Sequence, residues 1–114
     1  MWPDIEKIRI YIRPGVTDFR KQINGLTLMA RYRMGMDPLS GDLFVFCSRD
    51  RRKLKAVYWD RNGFCMWQKR LEKDRFPWPD DEVELRTLSG DELHMLLEGI
   101  DFRKRFSHLD YRQI

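Results

Sequence analysis

The chain has 114 residues, with 22 Lys plus Arg against 18 Asp plus Glu and a formal net charge of +4. At 42% hydrophobic and 13% aromatic residues it can build a packed core, which argues against wholesale disorder. The length suits a single domain over residues 1–114, with a core spanning about residues 5–102 and a basic tail over 103–114. No stretch approaches the roughly 18 uncharged apolar residues of a membrane span, and Met1-Trp2-Pro3-Asp4 lacks the opening of a signal peptide. Two cysteines make no disulfide framework. Secreted, membrane and disulfide-scaffold classes are excluded, and a cytoplasmic protein is expected.

The modest net charge hides a division. Residues up to Arg75 hold 17 basic and 9 acidic side chains, whereas those beyond hold 5 and 9. Between Phe76 and Asp101, Arg86 stands alone against eight carboxylates. Such a split suits either a polyanion surface on one side or two parts that attract each other.

In chain order, Ile8, Ile10 and Ile12 alternate with Arg9, Tyr11 and Arg13, the period-2 pattern of a strand with one apolar face. Pro14-Gly15 stops it. Thr17 or Asp18 can then cap a helix whose apolar stripe is Phe19, Ile23, Leu26 and Ala30. Gly25 marks a close packing contact within that helix, which should fray near Met34-Gly35 ahead of a turn over Asp37–Gly41.

Three strand-like runs follow: Leu43–Cys47, Leu54–Trp59 and Phe64–Gln68. A basic loop, Ser48-Arg49-Asp50-Arg51-Arg52-Lys53, joins the first pair, and Arg61-Asn62-Gly63 joins the second. With Asn62-Gly63 as the central turn residues, Trp59 would face Met66 and Tyr58 would face Trp67. These strands are apolar on both faces, so both faces need cover. Phe76-Pro77-Trp78-Pro79 reads as an extended loop, and Val83 with Leu85 as a short last strand. Ser89 and Glu92 have capping-box spacing ahead of Leu93, Leu96 and Leu97, and Gly99 is a natural helix stop. The expected fold is α+β: a small antiparallel sheet of about four to five strands packed by two helices.

No metal, cofactor or catalytic constellation is read from the chain. Cys47, Cys65, His94 and His108 lack the paired short spacings of zinc ligands. Asp18, Asp60 and Glu98 read as a cap, a turn residue and a helix end. Polyanion binding is the stronger signal. Arg49, Arg51, Arg52, Lys53 and Lys55 lie on and beside one hairpin, and in a meander Lys69 and Arg70 come to the same end of the sheet. Arg61 would lie at the opposite end. Trp59 and Trp67 offer stacking or docking surface.

Four segments carry a resemblance to a known family. They are Thr17-Asp-Phe-Arg-Lys21 with Gly25-Leu26; Asp37-Pro-Leu-Ser-Gly-Asp-Leu-Phe-Val-Phe46; Tyr58-Trp-Asp-Arg-Asn-Gly-Phe64 running on to Lys69-Arg-Leu-Glu72 and Phe76-Pro-Trp-Pro79; and Leu96-Leu-Glu-Gly-Ile-Asp101. In order and spacing they resemble the small accessory protein of the insertion-sequence-sixty-six family of bacterial mobile elements. The pattern departs at Gln22 and Asp74, where glycine is expected, and at Tyr58, where tryptophan is usual. The resemblance implies a non-catalytic factor for transposition that works beside a separate transposase of the same element. It brings no catalytic residues.

Two mechanisms are compatible with that setting. In one, Arg49, Arg51, Arg52, Lys53, Lys55, Lys69 and Arg70 grip double-stranded DNA at the element ends. In the other, the protein is an adaptor. Its sheet aromatics Trp59 and Trp67, or the acidic segment with Glu82 and Glu84, would then dock onto the transposase or a second copy of the chain.

Overall fold

Five consecutive residues of one strand, Leu43–Cys47, are all buried, and the fold is arranged around them. The computed structural model describes residues 3–80 and 86–100. Its elements are β1 (Ile10–Ile12), α1 (Ile23–Tyr32), β2 (Leu43–Cys47), β3 (Lys53–Asp60), β4 (Gly63–Arg70), β5 (Arg86–Leu88) and α2 (Gly90–Leu97). The strands form one sheet in the order β4-β3-β2-β1-β5. The architecture is α+β, with five strands and two helices, as the sequence pattern predicts.

One pairing departs from the expected antiparallel sheet. β1 and β2 run parallel, with Ile10 opposite Leu43 and Ile12 opposite Val45. Parallel neighbours cannot be joined by a tight turn, and α1 makes the crossover between them. The remaining pairs, β1–β5, β2–β3 and β3–β4, are antiparallel.

Both sheet faces are covered from within the chain. Leu43, Val45 and Cys47 point to one side, where Phe76, Trp78, Leu88, Leu93 and Leu96 pack on them. Phe44 and Phe46 point to the other, under Leu26, Ala30 and Met34. Tyr11 belongs to this second core, stacked on Phe44 at 5.8 Å between ring centroids. β1 is therefore buried on both faces, although its sequence alternates; the polar partners in that alternation, Arg9 and Arg13, fall outside the strand.

The first helix starts later than its sequence suggests. Neither Thr17 nor Asp18 caps it; Gln22 stands at the N-cap without a side-chain hydrogen bond. The reason is tertiary. The Thr17 amide donates to the Cys47 carbonyl at 2.8 Å, and Thr17 forms a parallel bridge with Ser48, so the chain continues along the sheet. Asp18 instead accepts the Arg20 amide at 2.9 Å in a local turn. Gly25 makes room for this chain's own Lys21, whose Cβ would lie 3.0 Å from an added Cβ.

The β3–β4 hairpin is offset by two residues from its expected register. Asp60 pairs with Gly63, so Arg61 and Asn62 are the turn residues and Arg61 takes the positive φ of 51°. Trp59 faces Phe64, in an edge-to-face contact at 4.9 Å, and Tyr58 faces Cys65. A two-residue offset keeps each side chain on its expected face.

Phe76–Pro79 is extended, but it is core rather than surface: Phe76 and Trp78 are fully buried. The Trp78 indole N–H donates to the carbonyls of Arg13 at 2.9 Å and Gly15 at 3.0 Å, fastening the chain where it leaves β1. The Phe76 amide donates to the Arg51 carbonyl at 2.7 Å and ties in the hairpin tip as well. The capping box at α2 forms as read, with Ser89 Oγ accepting from the Glu92 amide and the Glu92 carboxylate accepting from the Ser89 amide. Gly99 ends α2 with φ +80°. The strand expected at Val83 and Leu85 lies outside the described residues, as does the basic tail; the described β5 begins at Arg86.

Candidate nucleic-acid interface

The meander gathers the basic residues by register. Lys53 pairs with Arg70, so the β2–β3 connection and the end of β4 share one end of the sheet. Within that connection, Ser48 acts as the organiser. Its Oγ donates to Asp50 Oδ1 at 2.6 Å and accepts the Lys53 amide at 3.0 Å, while the Ser48 amide donates to the Lys53 carbonyl at 2.9 Å. Asp50 Oδ1 also accepts the Arg52 amide at 3.1 Å. The one acid of this loop is thus engaged in shaping it. The Ser48 hydroxyl, and then the Arg52 amide, hold its carboxyl below the usual range.

The cations around this turn point outward to differing degrees. Arg49 and Arg52 are exposed, and Arg51 and Lys53 are half-buried. Arg51, at φ 62°, lies 3.7 Å from the exposed Asp80 carboxylate. Arg70 is exposed and pairs with Glu72 at 3.0 Å. Exposed pairs of this kind are worth ~1 kcal/mol or less and yield readily to a competing anion.

Two of the expected phosphate contacts are engaged inside the protein. Lys55 is 4% exposed. Its ammonium donates to the carbonyls of Phe19 and Lys21, each at 3.3 Å, and lies 4.8 Å above the Phe19 ring. Burial, and secondarily the charge of Lys53, lowers its pKa. Lys55 falls on the face that α1 covers, which corrects its place in the phosphate-facing set. The Lys69 ammonium donates to the Leu97 carbonyl at 2.7 Å and closes the end of α2. Arg49, Arg51, Arg52, Lys53 and Arg70 remain.

The aromatic pair divides between the two faces. Trp59 is half-buried beside Phe64 on the α1 side, and Trp67 packs against the α2-side core. They do not make one surface. Glu82 and Glu84 lie outside the described residues. Arg61 stands at the far turn, 3.9 Å from Asp60. Cys47 is fully buried, with its thiol pushed up to about 12, and Cys65 sits in β4 as a partly buried residue. Among the described residues no group of His, Cys, Asp and Glu could hold a metal ion, and no helix is long and apolar enough to cross a membrane.

The basic loop also has neighbours from outside the meander. The Thr17–Ser48 bridge lays the β1–α1 connection against the basic loop, bringing Asp18 and Arg20 beside Arg49 and Lys53 around one open cleft. Nothing in the local pattern signals this, because it depends on the parallel pairing of β1 and β2.

These features define a small protein with a two-sided core and a cationic rim at one end of a mixed sheet. A family model described as IS66 Orf2-like protein matches residues 8–106. The chain belongs to this family, the transposition-associated accessory proteins of IS66 insertion sequences, distinct from the transposase. Two relatives come from Sinorhizobium fredii (strain NBRC 101917 / NGR234). The uncharacterized protein y4hO is 38% identical over 103 residues, covering 90% of each chain. The uncharacterized protein y4jC is 31% identical over 97 residues, covering 85% of this chain and 83% of its own. No solved structure matches.

Proposed function

We propose that this accessory protein contacts element DNA directly, through the rim formed by Arg49, Arg51, Arg52, Lys53 and Arg70. The carrying observation is the Lys53–Arg70 pairing, which gathers cations from two separate segments while Asp50 is engaged within its own loop. Guanidinium and ammonium groups on a rigid hairpin neutralise phosphates and release condensed counterions, a contribution that reads little sequence. The role follows as holding or positioning DNA ends for the element's transposase rather than selecting them.

A second reading has its own observation. Leu28 and Tyr32 are 55% and 76% exposed, one helical turn apart on the outer side of α1. An apolar strip of this kind suits an adaptor that docks onto the transposase.

Anisotropy titrations of the full chain against element-end and scrambled duplexes, with and without transposase, separate the two. Direct contact gives comparable binding to both duplexes with no transposase present. DNA association that requires transposase, together with a protein complex that forms without DNA and is lost in Leu28→Glu, would support the adaptor and overturn direct contact.

A further inference from the structure

The parallel strands β1 and β2 end side by side, and the connections leaving them wall an open cleft of about 620 Å³. Arg20, Arg49 and Lys53 bring three cations to its walls against two carboxylates, Asp18 and Asp50, with Thr17 and Ser48 between them. The Thr17–Ser48 bridge fixes the two walls to each other.

Two observations point to an anion in this cleft. First, Thr17 is 3% exposed, and its hydroxyl has no hydrogen-bond partner among the described residues. A buried hydroxyl of this kind leaves bonding capacity unused. Second, the cleft already holds an anion of its own. Asp18 takes the Arg20 guanidinium in a forked pair: Arg20 Nε donates to Oδ1 at 3.1 Å and Oδ2 at 2.9 Å, and Nη2 donates to Oδ2 at 2.6 Å. Two oxygens presented to a planar guanidinium is also the geometry in which arginine takes a phosphate. Because the Arg20 side chain is 90% exposed, the pair is screened by water and exchange is cheap.

We propose that this cleft is a phosphate-binding site in which a phosphate displaces Asp18 from Arg20 and is held by Arg20, Arg49 and Lys53. The inference rests on the proposed contact with DNA for its ligand source, a backbone phosphodiester. It extends that footprint from the hairpin to the β1–α1 connection and makes Asp18 an internal competitor. A phosphate entering the cleft meets Asp18 as a like charge until the aspartate turns outward. Removing that charge therefore favours binding, while removing Arg20 weakens it.

The test is amide-resolved NMR titration of the full chain, with a mixed-sequence DNA duplex in one arm and inorganic phosphate at constant ionic strength in the other. Spectra of Asp18→Asn, Arg20→Ala and Arg51→Ala/Arg52→Ala first verify the fold. The expected result is that duplex shifts the amides of Thr17, Arg20, Ser48 and Arg49. Arg20→Ala should weaken duplex binding about tenfold and lower the salt slope by roughly one. Asp18→Asn should tighten it several-fold. If Arg51→Ala/Arg52→Ala weakens binding while Arg20→Ala and Asp18→Asn leave it unchanged, the cleft site is overturned and the hairpin contact stands. If inorganic phosphate shifts the cleft amides but duplex does not bind, the phosphate site stands and DNA contact falls. Silence of the cleft amides in both arms overturns the site.

Discussion

The two ends of the β2–β3–β4 meander carry similar residues and use them differently. At the far turn, Arg61 stands alone beside Asp60, which is 3.9 Å away. At the near end, Arg49, Arg52, Lys53 and Arg70 come together from two segments, around a turn whose only acid is bonded to Ser48 and Arg52. The near end is also the better fastened. Phe76 bonds the hairpin tip, and Trp78 bonds the exit of β1. Cationic character at a surface thus depends on strand register and on what the neighbouring backbone demands. Lys55 and Lys69 make the same point, since both lie at this end and both serve backbone carbonyls.

The strongest way to break this contrast is to loosen the near end. Trp78→Ala removes a fully buried indole and orphans the carbonyls of Arg13 and Gly15. A loss of about 3–5 kcal/mol is expected in urea denaturation. A loss below about 1 kcal/mol would mean that the Phe76–Pro79 segment does not fasten this end.

Cys47 supplies a second test, because it is the buried residue of β2 nearest the basic loop. Burial raises its folded pKa from 9.0 to about 12. The unfolded chain therefore releases this proton first, so the thiol's contribution is intact below pH 9 and is lost as pH climbs toward 12. Tyr58, raised from 10.0 to about 12, joins in above pH 10. Lys55 works in the opposite sense, because its lowered pKa eases the burial of its charge as pH approaches 10.5. Between pH 9 and 10, stability should fall with a Cys47 share of up to ~1.4 kcal/mol per pH unit. Denaturation curves of Cys47→Ala across that window should lack this share, and an identical pH slope would contradict the burial argument.

Lys55→Ala sharpens the division between internal and outward cations. Removing the ammonium leaves the Phe19 and Lys21 carbonyls short of a donor, at about 1–3 kcal/mol in stability. The salt dependence of DNA binding should not change. A reduced salt slope in a folded Lys55→Ala protein would return Lys55 to the interface.

Much of this fold is legible in local pattern. The two-sided apolar run Leu43–Cys47, the Ser89–Glu92 capping box and the stop at Gly99 each follow from residue type at fixed spacing. The meander itself places the basic loop beside Arg70. What local pattern does not carry is anything decided between distant segments. Thr17 and Asp18 have the chemistry of helix caps, yet the Cys47 carbonyl takes the Thr17 amide and the helix begins at Ile23. Lys55 reads as one more cation of a basic strand, and only the fold of the β1–α1 connection over it makes it internal. The candidate site divides along the same line. Its hairpin half is visible in the sequence, and its Arg20 half emerges only from the parallel pairing of β1 and β2.

The proposed contact holds DNA at one end of the meander and not at the other. Its most direct test is the salt dependence of duplex binding by three proteins: the native chain, Arg49→Ala/Arg52→Ala/Lys53→Ala, and Arg61→Ala. The triple variant should bind more weakly, with a slope lower by about two to three, whereas Arg61→Ala should match the native chain. Equal slopes for the native chain and the triple variant, or an equal loss in Arg61→Ala, would contradict it.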